Sequence, residues 1–349
     1  MTKSEITTSR RNCFFDMIKM ICVIMVIITH VSWSSDERNF LIFPYLIDMA
    51  VPVFMIISAT LRAGKMEKIG FKKFISPRNT LKSLESIMIA YVIVAVIEIF
   101  AAIFISALNP AANYSYIQSP SEFFIWFFTG LTGPGSYYIP IMVQLIIYFP
   151  LLWLLVRKFK SVGLFVCFAI NSVYEIIVYQ VNMNTSLYRL LIFRYTFLIA
   201  LGIYFYMAQN RKRDDITAFL FLLVGLSFIT VNAYIRPFAL FQAWKRTSML
   251  CVPFAYGALY LLKKYFGEIP YNKVSIVGRA SLHIYLTQMV FFGFGAGSML
   301  RKVFQFMPNI LNRLCSSVVA ISICVPVGMA FFFVESKIKS RLFSRQRKI

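Results

Sequence analysis

Between Phe14 and His30 the chain reads FFDMIKMICVIMVIITH, an apolar stretch that carries Lys19 and His30 on one stripe. The two residues are eleven positions apart, so in a helix they face nearly the same direction, about 16 Å from each other along the axis. Ionisable groups inside a membrane helix are costly and are functional suspects by default. The sequence holds only two histidines, so few other residues compete with His30 for an acid-base role.

The composition places the whole chain in the membrane class. It is 59% hydrophobic with a mean hydropathy of +0.71, which argues against a soluble domain with buried helices. Apolar segments long enough to cross a ~30 Å hydrocarbon core recur from end to end. We predict an all-α, polytopic integral membrane protein with about ten transmembrane helices. The predicted spans are 14–33, 40–61, 83–106, 137–156, 161–180, 190–208, 216–235, 247–263, 274–296 and 311–334.

The first of these spans is not expected to be a cleaved signal peptide. It holds Asp16 and Lys19, and no small-residue cleavage site follows it. The six cysteines lie in or beside apolar spans without metal-ligand spacing. We therefore expect neither a disulfide nor a metal site.

The net charge of +22 follows the loops of the predicted topology. With ten spans, alternate loops carry 25 basic residues on one face and 8 on the other, and the positive-inside rule makes the richer face cytoplasmic. Both termini then lie in the cytoplasm: residues 1–13 precede a membrane domain of residues 14–334, and residues 335–349 form a basic tail. The 8 include Arg236, Lys245 and Arg246, between the seventh and eighth spans. Such regular alternation indicates contact with anionic lipid rather than with nucleic acid.

Ionisable residues inside the spans fall into two groups by depth. The outer group consists of His30, Asp48, Glu98, Glu175 and Arg194. The inner group consists of Lys19, Arg279 and His283. Each residue also has a structural explanation: Lys19 and Arg279 could extend to the inner headgroups, and Asp48 could pair with Arg194. A basic inner pocket suits an anionic cytosolic donor, and a histidine near a carboxylate suits proton removal from a hydroxyl.

The outer segment from Leu108 to Ser136 has a distinct composition. It contains no Lys or Arg and is rich in aromatic residues, with Pro and Gly at both ends that interrupt a helix. Residues 121–131 lie in the interface, re-enter the membrane, or form an aromatic belt at the outer headgroups. The sequence leaves these three possibilities open.

Several stretches together resemble the acyltransferase-3 family of integral membrane O-acyltransferases. The first helix of that family carries a basic residue, ten residues and then a histidine, which Lys19 and His30 match. The other matching stretches are Val51–Ala59, Tyr137–Pro140 with Tyr148–Pro150, Arg194-Tyr195 with Leu201-Gly202, and Gly278–Leu286. This chain has Gln288 where the family often has a histidine.

The resemblance implies transfer of an acyl group, often acetyl, from cytosolic acyl-coenzyme A to a sugar hydroxyl of a surface glycan or its lipid-linked precursor. The protein would then lie in the cell membrane, with the lipid bilayer and a saccharide acceptor as its partners. Lys19 and Arg279 would bind the donor, acyl-CoA, at the inner side. His30 would act as general base on the acceptor hydroxyl or as a transient acyl carrier.

The remaining expected site residues lie on the outer side. Asp48 or Glu175 would orient the imidazole of His30 and fix its tautomer. The residues expected to bind the acceptor are Arg194, Tyr138 and Trp126.

Two other functions compete with acyl transfer. A transporter or flippase of a lipid-linked saccharide would also place charges at two depths, although the sequence has neither an internal repeat nor a matching pair of broken helices. A scaffold in a glycan-assembly complex would tolerate loss of His30.

Overall fold

The computed structural model describes residues 12–109, 114–208, 211–235 and 249–346, with side chains up to residue 340. Within these ranges the chain forms helices and no strand, so the all-α prediction is confirmed. The helices are α1 (Phe14–Thr29), α2 (Ser35–Phe40), α3 (Ala50–Ile69), α4 (Phe71–Phe74), α5 (Pro77–Leu108), α6 (Pro120–Thr129), α7 (Tyr138–Phe159), α8 (Ser161–Gln180), α9 (Thr185–Leu190), α10 (Thr196–Met207), α11 (Lys212–Thr230), α12 (Val252–Phe266), α13 (Ser275–Arg279), α14 (Ser281–Gly293), α15 (Ala296–Val303) and α16 (Asn309–Gln346).

Six helical stretches in these ranges are long and apolar enough to span a membrane. They are Phe43–Ile69, Pro77–Leu108, Tyr138–Phe159, Ser161–Gln180, Lys212–Ile235 and Asn309–Ser340. The other four predicted spans also contain helices, but these are shorter: α1 has 16 residues, α12 has 15, α14 has 13 and α10 has 12. The structure therefore supports a multi-pass membrane protein, while the number ten stays a prediction. Arg236, Lys245 and Arg246 lie outside the described residues, as does most of the predicted segment 1–13.

Local sequence explains where helices near the ends of the bundle begin and stop. Ser34 and Glu37 form a capping box at the start of α2, so two backbone N–H groups are satisfied by side chains. Pro77 is the first residue of α5, where its missing N–H costs nothing. Gly70 has a φ of +82° and separates α3 from α4, a conformation that favours glycine.

Helix α1 lies in the interior of the bundle and contacts α3, α13, α14 and α16. Its close approach to α13 depends on Gly278, because a Cβ there would overlap the backbone of Asp16. Thr60 on α3 donates to the carbonyl oxygens of Ile56 (2.8 Å) and Gly202 (2.9 Å), which joins α3 to α10. Small residues thus bring the helix backbones together where the site residues lie.

Contacts between loops join segments that the charge pattern assigns to the same face. On the predicted cytoplasmic face, Arg157 pairs with Glu67, and Lys264 lies 2.8 Å from Asp215. On the predicted outer face, Arg313 at the start of α16 pairs with Glu37. Each of these pairs joins two helices near ends that the charge pattern assigns to one face.

Candidate functional site

His30 is the first residue after α1, and its backbone N–H donates to the carbonyl oxygen of Ile27 at 3.1 Å. The side chain is half-buried, and its ring lies 5.9 Å from that of Phe292. A Cβ built on Gly135 would lie 3.6 Å from His30 Nε2 and 2.6 Å from the Tyr285 hydroxyl. His30 Nε2 therefore faces a backbone turn and a phenol.

That turn belongs to residues Gly130–Ser136, which we call the glycine loop. Gly130 and Gly135 have φ values of +111° and +85°, so both need a residue without a Cβ. The Gly135 carbonyl accepts hydrogen bonds from the Tyr138 N–H at 2.9 Å and from the Tyr285 hydroxyl. Gly133 packs directly on the backbone of Met289 in α14. The glycines allow this backbone to lie close to His30, because a side chain at these positions would overlap neighbouring atoms.

Buried side chains support the glycine loop from behind. Glu98 on α5 is fully buried and accepts the Thr132 N–H at 3.1 Å. The Trp126 indole N–H donates to the Thr132 hydroxyl at 2.9 Å, and its ring stacks on that of Tyr116 with centroids 4.4 Å apart. Gln288 on α14 lies 3.5 Å from the Pro134 carbonyl. The loop is thus held by α5, α6 and α14 together.

Two carbonyl-type oxygens of this shell, one of a carboxyl and one of an amide, have no hydrogen-bond partner among the described residues. They are Oε1 of Glu98 and Oε1 of Gln288, both on fully buried side chains. Buried acceptors without partners are rare, since each costs about 1–3 kcal/mol. They could accept hydrogen bonds from the hydroxyls of a ligand.

Tyr138 connects His30 to the interior of the bundle. Its ring lies 5.1 Å from that of Tyr285, and its hydroxyl is within hydrogen-bond reach of Ser58. Arg62 on α3 is close enough to Tyr138 to interact electrostatically. Polar residues of α3 thus lie beside Tyr138, whose backbone N–H contacts the glycine loop.

Arg194 lies on the other side of the tyrosine cluster. It is buried, and its guanidinium carbon lies 4.9 Å from the rings of Tyr188 and Tyr195 and 5.9 Å from that of Tyr137. Glu175 on α8 accepts from the Asn171 side chain at 3.3 Å and interacts electrostatically with Arg194. Arg194 and Glu175 thus form one buried cluster, which Tyr137 joins to the glycine loop.

Asp48 has a different environment. Its carboxylate pairs with Arg38, and both line a cavity of about 180 Å³ beside α11. Sequence reasoning offered Arg194 as a structural partner for Asp48, whereas the structure gives Asp48 the guanidinium of Arg38. The contacts described for Asp48 are therefore with the outer loops rather than with the glycine loop.

The inner residues lie at the opposite end of α1. Lys19 is 2.8 Å from the Asp16 carboxylate, and Arg279 is exposed at the end of α13, directly after the glycine that packs on α1. His283 on α14 is buried and pairs with Glu335, which also lies 2.5 Å from Lys339. Lys19 and Arg279 thus share one region, while His283 belongs to an ion cluster with α16.

The structure brings together His30 and Tyr138, with Trp126 behind the glycine loop, and groups Arg194 with Glu175. Sequence reasoning missed the role of the glycine loop, because its glycines were read only as helix-breaking signals at the end of an aromatic segment. It also counted Arg62 among the loop residues, although α3 continues to Ile69. Glu98 was noticed as a buried carboxylate, and its partner on the loop could not be found from spacing.

Comparison with known proteins defines the family. Residues 12–329 match the acyltransferase-3 family model, which describes an acyltransferase domain. The chain therefore belongs to this family of acyltransferases, and the resemblance proposed from its motifs is confirmed. No curated protein and no solved structure matches the chain. In the described part of the chain, no three His, Cys, Asp or Glu side chains are placed to hold a metal ion.

Proposed function

We propose that this protein is a membrane O-acyltransferase that moves an acyl group, with acetyl the group expected, from cytosolic acyl-CoA to a hydroxyl of a cell-surface glycan or its lipid-linked precursor. One observation carries the proposal: the ring of His30 faces a rigid turn of backbone that is fixed by Tyr285, Glu98 and Trp126. A general base needs such a fixed environment, because proton transfer depends on precise geometry.

The proposed reaction is a direct transfer. His30 Nε2 removes the proton from the acceptor hydroxyl, and the oxygen attacks the carbonyl carbon of the thioester. The tetrahedral intermediate then breaks its C–S bond, and the coenzyme A thiolate takes the proton from the imidazolium. The alternative is that His30 attacks first and carries the acyl group as an acyl-imidazole. Both routes end in an ester and free coenzyme A.

The two reactants would enter from opposite faces. Lys19 and Arg279 would bind the phosphates of the donor at the inner end of α1, and the thioester would extend about 16 Å along α1 towards His30. It would pass beside Tyr138, which neighbours Ser58 and Arg62. This arrangement gives the acyl chain a route with polar contacts near its carbonyl.

The acceptor would bind on the outer side of the tyrosine cluster. Arg194 and Tyr138 would contact it, and Trp126 would act through the glycine loop that it supports. Asp48 or Glu175 stays the carboxylate that would orient the imidazole of His30 and fix its tautomer. Their described partners are Arg38 and Asn171, so either would act from a distance.

The test is acyl transfer by the purified protein in lipid bilayers with radiolabelled acetyl-CoA and a saccharide acceptor. We expect label in the saccharide with the native protein and none with His30→Ala at equal expression. Movement of a lipid-linked saccharide across the bilayer without label transfer would instead support the transporter.

The orientation of the protein needs its own test, because the proposal puts donor and acceptor on opposite faces. Single cysteines in place of Lys72 and Gln118, both exposed, can be placed in a cysteine-free background. An impermeant thiol reagent on intact cells should label position 118 and not position 72. The reverse pattern would invert the protein and overturn the assignment of the faces.

A further inference from the structure

A second cavity of about 530 Å³ lies at the predicted cytoplasmic face, and we call it the interfacial pocket. It is formed by the inner ends of α3, α7 and α10 and by the starts of α8 and α11. None of the residues that line it belongs to the glycine loop or to the inner pair Lys19 and Arg279. The pocket is therefore separate from the site described above.

The lining of the interfacial pocket is positively charged. Its cations are Arg157, Lys160, Arg211 and Arg213, and its carboxylates are Glu67 and Asp214. Glu67 is engaged by Arg157, and Asp214 accepts the backbone N–H of Arg211 at 3.1 Å. The lining thus has two more positive than negative charges, which favours an anionic ligand.

Backbone dipoles add to this field. Helix α8 begins at the pocket, with Lys160 at its N-cap and Ser161 as its first residue, and the structure gives its first turn no side-chain cap. Helix α11 starts at the same pocket, but the carboxylate of Asp214 already accepts the N-cap N–H of Arg211, so only α8 offers an uncapped N-terminus. The first N–H groups of a helix have no partner within the helix and attract anions, phosphate above all.

Aromatic rings form the apolar part of the wall. The rings of Trp153 and Tyr206 have centroids 6.1 Å apart at 52°, and Tyr204 lies beside them. The guanidinium of Arg157 lies 5.3 Å from the Trp153 ring. Cations and aromatic rings at the membrane interface suit a ligand that has a phosphate at one end and an apolar or ring-bearing part at the other.

We propose that the interfacial pocket binds a phosphate ester from the cytoplasmic face, with its phosphate on the cations and its other end on the aromatic rings. Two molecules offer this chemistry at that place: an anionic phospholipid headgroup and the nucleotide end of coenzyme A. Recognition of phosphate at the pocket does not depend on the acyl transfer proposed above. Only the nucleotide source rests on that proposed function.

The experiment compares the native protein with Lys160→Ala/Arg213→Ala, which removes two pocket cations. Lys72→Ala/Lys73→Ala is the matched control, because it removes two exposed cations of the same predicted face at α4, away from the pocket. One arm uses nanodiscs of phosphatidylcholine with phosphatidylglycerol and counts retained phosphatidylglycerol by native mass spectrometry. The other uses phosphatidylcholine nanodiscs and measures coenzyme A binding by calorimetry.

We expect the pocket variant to lose on the order of tenfold in affinity for one probe, while the control changes less than about twofold. Loss confined to phosphatidylglycerol identifies the lipid as the ligand, and loss confined to coenzyme A identifies the donor nucleotide. Equal weakening in the pocket variant and the control, or no weakening in either, would overturn the proposal. His30→Ala should bind both probes normally. The binding test can therefore be interpreted even if the protein transfers no acyl group.

Discussion

The surroundings of His30 and the inner end of α1 are built in contrasting ways. His30 faces the glycine loop, which is held from behind by fully buried side chains, among them Glu98 and Gln288. At the inner end, Lys19 is partly exposed beside Asp16, and Arg279 is exposed. The first arrangement is held by hydrogen bonds and buried side chains, whereas the second offers charge on exposed or partly exposed side chains.

We infer from this difference that the two ends of α1 serve different steps, proton transfer near His30 and donor binding near Lys19. A proton transfer gains from preorganised groups, because the reacting atoms must already be in place. Binding of a charged, flexible donor gains from electrostatic attraction and tolerates side-chain movement, at the cost of sensitivity to salt. We therefore expect large losses of turnover from changes near His30 and moderate losses of donor affinity from changes at the inner end.

The largest effect is expected for His30→Ala. Loss of a general base typically lowers the rate ~10²–10⁴-fold, while membrane insertion should stay normal because the side chain is only half-buried. Radiolabel transfer measures the rate, and gel-filtration behaviour measures folding. Retention of more than about a tenth of the activity, well outside that range, would show that His30 is not the base.

Gly135→Ala tests whether the glycine loop must touch the site. Its Cβ would overlap the Tyr285 hydroxyl and approach His30, and a displacement of about 1 Å near reacting groups can cost on the order of 10²-fold in turnover. Gly70→Ala is the matched control: its φ of +82° is similar, and a Cβ there meets nothing within 4 Å.

The control should lose only stability, by about 1–3 kcal/mol for the strained backbone, and keep its turnover. Thermal unfolding and kcat separate the two effects. Equal loss of turnover in both alanine variants would mean that backbone strain, and not the site, explains the result.

Glu98→Ala should have a smaller effect, through the position of the glycine loop. It removes the acceptor of the Thr132 N–H, and the loss of such a hydrogen bond costs about 0.5–1.5 kcal/mol, or up to roughly tenfold in a rate that depends on the loop. Glu98→Gln keeps an amide oxygen at that position and should restore most of the turnover. Glu122→Gln, at an exposed position of α6, is the control. If Glu98→Gln were as poor as Glu98→Ala, the negative charge itself would be needed.

The smallest effects are expected at the inner end. Lys19→Ala and Arg279→Ala should each weaken acyl-CoA binding by about fivefold, since a single interfacial cation contributes about 1 kcal/mol to holding an anion. Lys19→Arg should be milder because it keeps the charge in a different geometry. The Kd for coenzyme A, measured at low and high salt, checks this. An unchanged Kd for coenzyme A in both alanine variants would indicate that Lys19 and Arg279 interact with lipid headgroups instead of the donor.

The elements that the sequence predicts well are those with a strong local signal. Long apolar runs predicted α7 and α8 to within three residues of their observed ends, since the length of a membrane helix is set by bilayer thickness. Helix α5 begins six residues before its predicted span, and α16 continues twelve residues beyond its own, because polar residues at the ends of a span can extend a helix outside the apolar run. The segment 121–131 was left open, and it forms α6, a helix of ten residues held to α5 by a hydrogen bond from Tyr91 to the Phe127 carbonyl. An aromatic run of this length is too short for its periodicity to distinguish between the three possibilities.

The sequence by itself determined the membrane class, the family, and the histidine at the C-terminal end of the first helix, because apolar length, motif spacing and residue identity are local properties. Only the tertiary structure decided that Gly135 lies against His30, that Glu98 holds the loop behind it, and that Asp48 pairs with Arg38. These contacts join residues from ten to more than a hundred positions apart. Which residues come into contact depends on which helices pack together, and the spacing of residues along the sequence does not specify that packing.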